Sequence, residues 1–218
     1  MITSATVSKL IMPNPEGFPQ QMRDRHQWIT WRLSQKSSNK DEFSKIPTNP
    51  KTGENASSTD PNTWSDFETA VAHWKSGKAS GLGFVTIPDD GMVLIDLDNC
   101  RDPVTGELTQ EARRWIESLK TYVEVSPSGT GLHAFQLGTK TTSKCKNTAI
   151  GVECYDRGRF FCVTGVAPDE SQYPISDNQE SLEKFLDECF PEDEETTTPL
   201  TACPLPTGVD EQRVLDKL

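Results

Sequence analysis

The stretch Met92-Val93-Leu94-Ile95-Asp96-Leu97-Asp98 constrains this chain more than any other segment. A short apolar run that follows Asp89-Asp90-Gly91 reads as a buried strand. It ends in an Asp-x-Asp pair. Alternate side chains of a strand share one face, so Asp96 and Asp98 are expected to project together while Leu97 points the other way into a core. Two carboxylates on one face repel, and a hard divalent cation is the usual remedy. Mg²⁺ takes oxygen ligands, keeps several waters and pairs protein carboxylates with substrate phosphates. Two such ions about 4 Å apart can clamp the attacking and leaving oxygens of a phosphoryl transfer. Asp-x-Asp alone is common at strand ends and turns. The four apolar residues before this one place it where a buried strand meets solvent, which is where α/β-type sheets carry their sites.

Two later segments add candidates. Ser126-Pro127-Ser128-Gly129-Thr130-Gly131-Leu132-His133 reads as a turn leading into a strand, and Val152-Glu153-Cys154-Tyr155 brings a third carboxylate. Gly129 and Gly131 would let backbone N–H groups approach a phosphate. His133 can donate a hydrogen bond to a triphosphate at little charge cost. A plain hairpin turn followed by a capping histidine is the alternative. Ser128 is either a hydroxyl donor or a turn former. Arg159, just after Arg157-Gly158, has a guanidinium suited to bidentate phosphate contact, or forms a surface ion pair; Arg157 reads as surface. Lys45, ahead of Pro47 in a rigid extended segment, reaches a phosphate or is simply solvated. Trp28, Trp31 and Trp64 could stack bases, although tryptophans in such patterns usually belong to a core.

The rest of the pattern is that of an α+β chain. Strands are expected at 27–33, 81–87, 92–98, 121–126, 132–138, 150–155 and 159–165, with a polar turn over Lys36–Lys40 and an extended segment over 43–50, where Pro47 and Pro50 disfavour a helix. The 81–87 and 92–98 strands read as a hairpin around Asp89-Asp90-Gly91. Helices are expected at 65–75, with Ser65 as N-cap, at 108–120 and at 181–189. Residues 1–24 look like a flexible lead-in and 25–190 like the catalytic domain. Residues 191–218 look like an acidic, Pro- and Thr-rich linker, with Asp210–Leu218 starting a further helix.

Composition narrows the classes. The 218 residues suffice for a real core. The mean hydropathy of −0.60 suits a soluble chain, and no run approaches the ~18 apolar residues of a membrane span. Neither a membrane partner nor a secretory signal is expected. The six cysteines are scattered without Cys-x-x-Cys, which argues against zinc and for a reducing cytoplasm. The net charge of −11 argues against a non-specific nucleic-acid binder, but much of the excess sits in Glu192-Asp193-Glu194-Glu195.

In this order — Asp-x-Asp, then Ser-Gly-x-Gly-x-His, then Glu ahead of a Gly-Arg-aromatic strand — the motifs resemble the archaeo-eukaryotic primase superfamily. More narrowly they resemble the primase-polymerases of phages and plasmids. Trp28-Ile29-Thr30-Trp31, Lys45-Ile46-Pro47, Ala56 to Pro61 and Trp64 are similar to the opening of the phage-type members, and the similarity spans residues 25–168. The resemblance implies two α/β lobes, the second built on an RRM-like sheet that carries the acids. It implies a DNA primase/DNA polymerase that adds dNTPs or NTPs to a DNA template and primer. Asp96, Asp98 and Glu153 would be catalytic and would hold two Mg²⁺ or Mn²⁺ ions. Ser128, Gly129, Gly131, His133, Arg159 and Lys45 would bind the nucleotide. A C-terminal helical domain or a helicase would lie outside this chain. Two rivals stand beside this reading. A metal-dependent replication-initiator nuclease would need a nucleophilic tyrosine with paired histidines, or a carboxylate pair with a catalytic lysine. A catalytically silent single-stranded DNA-binding module would not need the acids at all.

Overall fold

The computed structural model describes residues 10–35, 43–168 and 173–191, and the backbone of 212–214. The expected turn at Lys36–Lys40 and most of the 191–218 linker lie outside these residues. Four α-helices are described: α1 (Gln20–Arg23), α2 (Phe67–Lys75), α3 (Gln110–Leu119) and α4 (Gln179–Cys189). The strands are β1 (Trp28–Gln35), β2 (Phe43–Thr48), β3 (Gly81–Val85), β4 (Met92–Leu97), β5 (Tyr122–Val125), β6 (Leu132–Leu137), β7 (Lys146–Asn147), β8 (Val152–Tyr155), β9 (Phe160–Val163) and β10 (Gln212–Val214). They form two five-stranded antiparallel sheets, ordered β10-β2-β1-β3-β9 and β5-β6-β4-β8-β7. The chain is thus α+β.

Strand β4 shows how alternation builds the layers. Val93, Ile95 and Leu97 face α3 and α4, packing with Trp115, Leu119, Phe185 and Leu186. Met92 and Leu94 face the opposite way, into a core shared with Trp28, Leu82, Phe84 and Phe161 of the first sheet. Asp96 has the same parity as Leu94, so it opens onto the space between the sheets. A third cluster, including Ile29, Trp31, Phe43 and Trp64, covers the other side of the first sheet.

Several expectations are corrected. Strands β3 and β4 are not a hairpin: β3 pairs with β1 and β9, and β4 pairs with β6 and β8. The Asp89-Asp90-Gly91 segment carries the chain from one sheet to the other. It is pinned by Asp90, whose Oδ2 accepts from Arg25 Nη1 at 2.5 Å and from Gln27 Nε2 at 2.9 Å, and whose Oδ1 accepts from the Met92 N–H. The cap of α2 is Asp66, which accepts from the Thr69 N–H at 2.8 Å. Ser65 is buried and donates its hydroxyl to the Trp28 carbonyl. Residues 10–24 are no loose lead-in, because Leu10, Phe18 and Met22 are buried and Arg23 donates to the Phe18, Pro15 and Glu16 carbonyls. Gln212–Val214 pairs as a strand with β2 where a helix was expected. The three tryptophans are core: each indole N–H donates to a carbonyl, of Met22, Leu82 and Ser57 respectively. Cys100, Cys154, Cys162 and Cys189 are free and buried. Among the described residues no helix is long and apolar enough to cross a membrane.

Candidate active site

The register of the second sheet aligns its polar residues in one transverse row. Asp96 on β4 lies opposite His133 on β6 and Glu153 on β8. His133 in turn lies opposite Glu124 on β5, and Glu153 opposite Lys146 on β7. Directly paired residues of antiparallel strands point to the same face, so Glu124, His133, Asp96, Glu153 and Lys146 run in sequence across all five strands.

The contacts follow this row. His133 Nε2 is 3.7 Å from Asp96 Oδ1, and its Nδ1 is 3.3 Å from Glu124 Oε1. The ring stands edge-on to Phe161, with centroids 5.2 Å apart. At the other end Lys146 Nζ meets Glu153 Oε1 at 2.9 Å, and the Tyr155 hydroxyl donates to Glu153 Oε2 at 2.7 Å. Burial pushes the Asp96 carboxyl up to about 6; Asp98 and Glu153 add to the rise, while His133 and Lys45 oppose it. Asp98 is also raised, by partial burial and then by the Glu153 charge.

Asp98 lies one residue beyond β4, where its N–H donates to the Gly151 carbonyl at 2.7 Å. Two glycines make this close approach possible. A Cβ on Gly131 would lie 2.7 Å from the Leu97 carbonyl oxygen, and one on Gly151 3.0 Å from that of Asp98. Gly151 also holds a φ of +66°, which favours glycine. The turn before His133 closes on itself: the Gly129 N–H donates to the Ser126 carbonyl and the Gly131 N–H to Ser126 Oγ. Those two N–H groups are therefore engaged within the turn, contrary to their expected approach to a phosphate. Ser128 Oγ lies between Ser126 Oγ at 3.0 Å and Thr130 Oγ1 at 2.8 Å.

The first sheet brings Lys45 and Arg159. Lys45 lies over the Trp31 ring at 5.6 Å, and its charge acts on Asp96 and Asp98. The Arg159 guanidinium lies 4.9 Å above the Tyr155 ring, whose hydroxyl holds Glu153. Arg157 pairs with Asp156 as a partly exposed fork, matching its surface reading.

Sequence reasoning passed over Glu124, Lys146, Tyr155 and Gly151. Glu124 had a signal: a carboxylate between Val123 and Val125 in an apolar strand. Lys146 and Gly151 had none, since only strand pairing places them beside the acids. Asp96, Asp98 and Glu153 offer hard oxygen donors of the kind Mg²⁺ or Mn²⁺ takes, and the charges of Asp98 and Glu153 act on Asp96. Among the described residues no three His, Cys, Asp or Glu side chains form a group that could hold a metal ion.

No family model matches the chain. Over 143 residues, 64% of its length, it is 38% identical to a protein named DNA Primase-polymerase from Nitratiruptor phage NrS-1. The aligned region covers 19% of that relative, so the chain spans about a fifth of the length of the curated protein it resembles.

Proposed function

We propose that this chain is the catalytic part of a DNA primase-polymerase, with the two-lobed fold of the archaeo-eukaryotic primases, serving the replication of a mobile element. The observation that carries the reading is the double pairing of Asp96, with His133 on one side and Glu153 on the other. It puts a carboxylate set and an imidazole on one face, beside the exposed Asp98. The similarity to the phage protein supports the same reading.

Asp96, Asp98 and Glu153 are the residues that would hold two Mg²⁺ or Mn²⁺ ions. Such ions lower the pKa of a bound hydroxyl and stabilise charge on a leaving pyrophosphate. The chain's own residues do the rest. His133, from the middle of the row, donates through Nε2 to a phosphate oxygen of the incoming dNTP or NTP. Lys45, from the facing sheet, supplies a compact positive charge where the triphosphate carries its negative charge. Arg159 offers a planar fork at the Glu153 end, and Ser128 a hydroxyl at the turn. Phe161 packs edge-on against His133 and also against Tyr155, and so backs the row from the first sheet. Primer-template DNA would approach from the exposed Asp98 end of the site.

The test is extension of a primed DNA template with dNTPs and Mg²⁺ or Mn²⁺. Wild type should extend the primer, and Asp96→Asn with Asp98→Asn should not. Extension surviving in the double variant would overturn the assignment. Nicking of supercoiled plasmid without any extension would favour the nuclease.

A further inference from the structure

The proposed chemistry gives no task to Glu124, at the buried end of the row. We infer that Glu124 is a positioning residue that accepts the Nδ1–H of His133 and so aims the ring, which must carry a proton on each nitrogen to donate to a phosphate, with its Nε2–H toward the reacting phosphates. The inference rests on the primase-polymerase reading only for what Nε2 meets.

The hydrogen bonds leave little choice. Glu124 is fully buried. Its Oε2 accepts from the Gly165 N–H at 2.8 Å and the Tyr122 hydroxyl at 2.9 Å. Its Oε1 accepts from the Thr164 N–H at 3.1 Å, which leaves that oxygen facing His133 Nδ1 at 3.3 Å. Two of these donors are backbone N–H groups and cannot become acceptors. Both carboxylate oxygens already accept from fixed donors, so Oε1 meets the imidazole as an acceptor and the ring nitrogen beside it is the donor. The bonding fixes which nitrogen looks inward, and Phe161 fixes the plane of the ring. The frame is costly to build and specific. Gly165 reaches Glu124 with φ at +66°, and a Cβ there would lie 2.3 Å from the Asn14 carbonyl oxygen. A carboxylate that orients a working histidine by its rear nitrogen is a recurring arrangement. The competing role is purely structural: Glu124 would then do no more than tie β5 to the segment after β9.

Two measurements separate these roles. The first uses wild-type protein labelled with ¹⁵N-histidine at neutral pH. Long-range ¹H–¹⁵N spectra should show the His133 Nδ1 protonated, and a neutral ring protonated only at Nε2 would overturn the inference. The second is a double-mutant cycle in primer extension. Glu124→Gln should raise the dNTP KM by roughly tenfold or more, with little change in primer-template affinity by fluorescence anisotropy. In a His133→Asn background the same substitution should have no further effect; an equal further loss there would make Glu124 structural and overturn the proposal. If Glu124→Gln fails to fold, the wild-type ring spectrum decides alone. Absence of any wild-type extension would sink the primase-polymerase reading, and the ring spectrum would still decide the role of Glu124.

Discussion

Two rows of side chains lie one pleat apart on the same face of the second sheet. One is Glu124, His133, Asp96 and Glu153; the other is Tyr122, Phe135, Leu94 and Tyr155, from the same four strands. The first row is charged or titratable throughout. The second is buried in the core between the sheets. They are joined at both ends by the tyrosines: Tyr122 donates to Glu124 on β5, and Tyr155 donates to Glu153 on β8. The apolar row thus holds the sheets together and also props the outer carboxylates of the polar row. A step of two residues along each strand is enough to turn scaffold into site, because the side-chain period of a strand is two.

Five substitutions would break or sharpen this comparison. The largest effect belongs to the polar row: Asp96→Ala should lower nucleotide incorporation at least about a thousandfold, roughly 4 kcal/mol, while the fold survives. Quantitative primer extension beside circular dichroism checks both halves, and an unfolded variant would contradict the separation of the two rows. In the apolar row Phe135→Ala should do the reverse. Phe135 is wholly buried, and its loss should cost about 3–5 kcal/mol of folding stability in urea denaturation. A loss under about 1 kcal/mol would mean the row is not the scaffold described here.

Third comes pH. The folded Asp96 carboxyl lies at about 6 against an ordinary 3.8, so it is raised on folding. A raised carboxyl is fully accommodated below about pH 4, and that stability is lost as pH rises through about 6. In the absence of divalent ions, Asp96→Asn should therefore match wild type near pH 4 and exceed it above pH 6, by up to about 3 kcal/mol. Thermal melts at several pH values in chelator would show it, and an advantage that grew toward low pH would refute the sign. Mg²⁺ should raise the wild-type Tm above pH 6 more than that of the variant.

His133→Ala should weaken nucleotide use by about 1.5–3 kcal/mol, tenfold to somewhat over a hundredfold, with primer-template affinity little changed. Titrating dNTP in extension and DNA by fluorescence anisotropy tests the split, and loss of DNA binding alone would move His133 to the template groove. The smallest effect is expected for Tyr155→Phe, which removes one hydrogen bond to Glu153. It should cost about 1 kcal/mol in apparent Mn²⁺ affinity, read by titrating the metal in the extension assay. An unchanged metal dependence would show that the tyrosine props nothing that the ions need.

The amino-acid sequence by itself determined what is local. The alternation of Met92 to Leu97 set which residues of β4 face the helices and which face the first sheet. The apolar spacing of Ala112, Trp115 and Leu119 set the buried side of α3, and the Gly-rich turn delivered His133 to the start of a strand. Tertiary structure decided what depends on pairing at long range. Whether β3 joins β4 or β1 is a choice among partners that all satisfy the same period-two pattern, and burial of β3 between β1 and β9 settled it. Glu124, Lys146 and Gly151 became neighbours of the acids only through strand register, which no single segment encodes. The α2 cap moved from Ser65 to Asp66 because the Ser65 hydroxyl is taken by the Trp28 carbonyl from another strand. Side-chain direction along a strand is a property of the chain; strand neighbours are a property of the packed core.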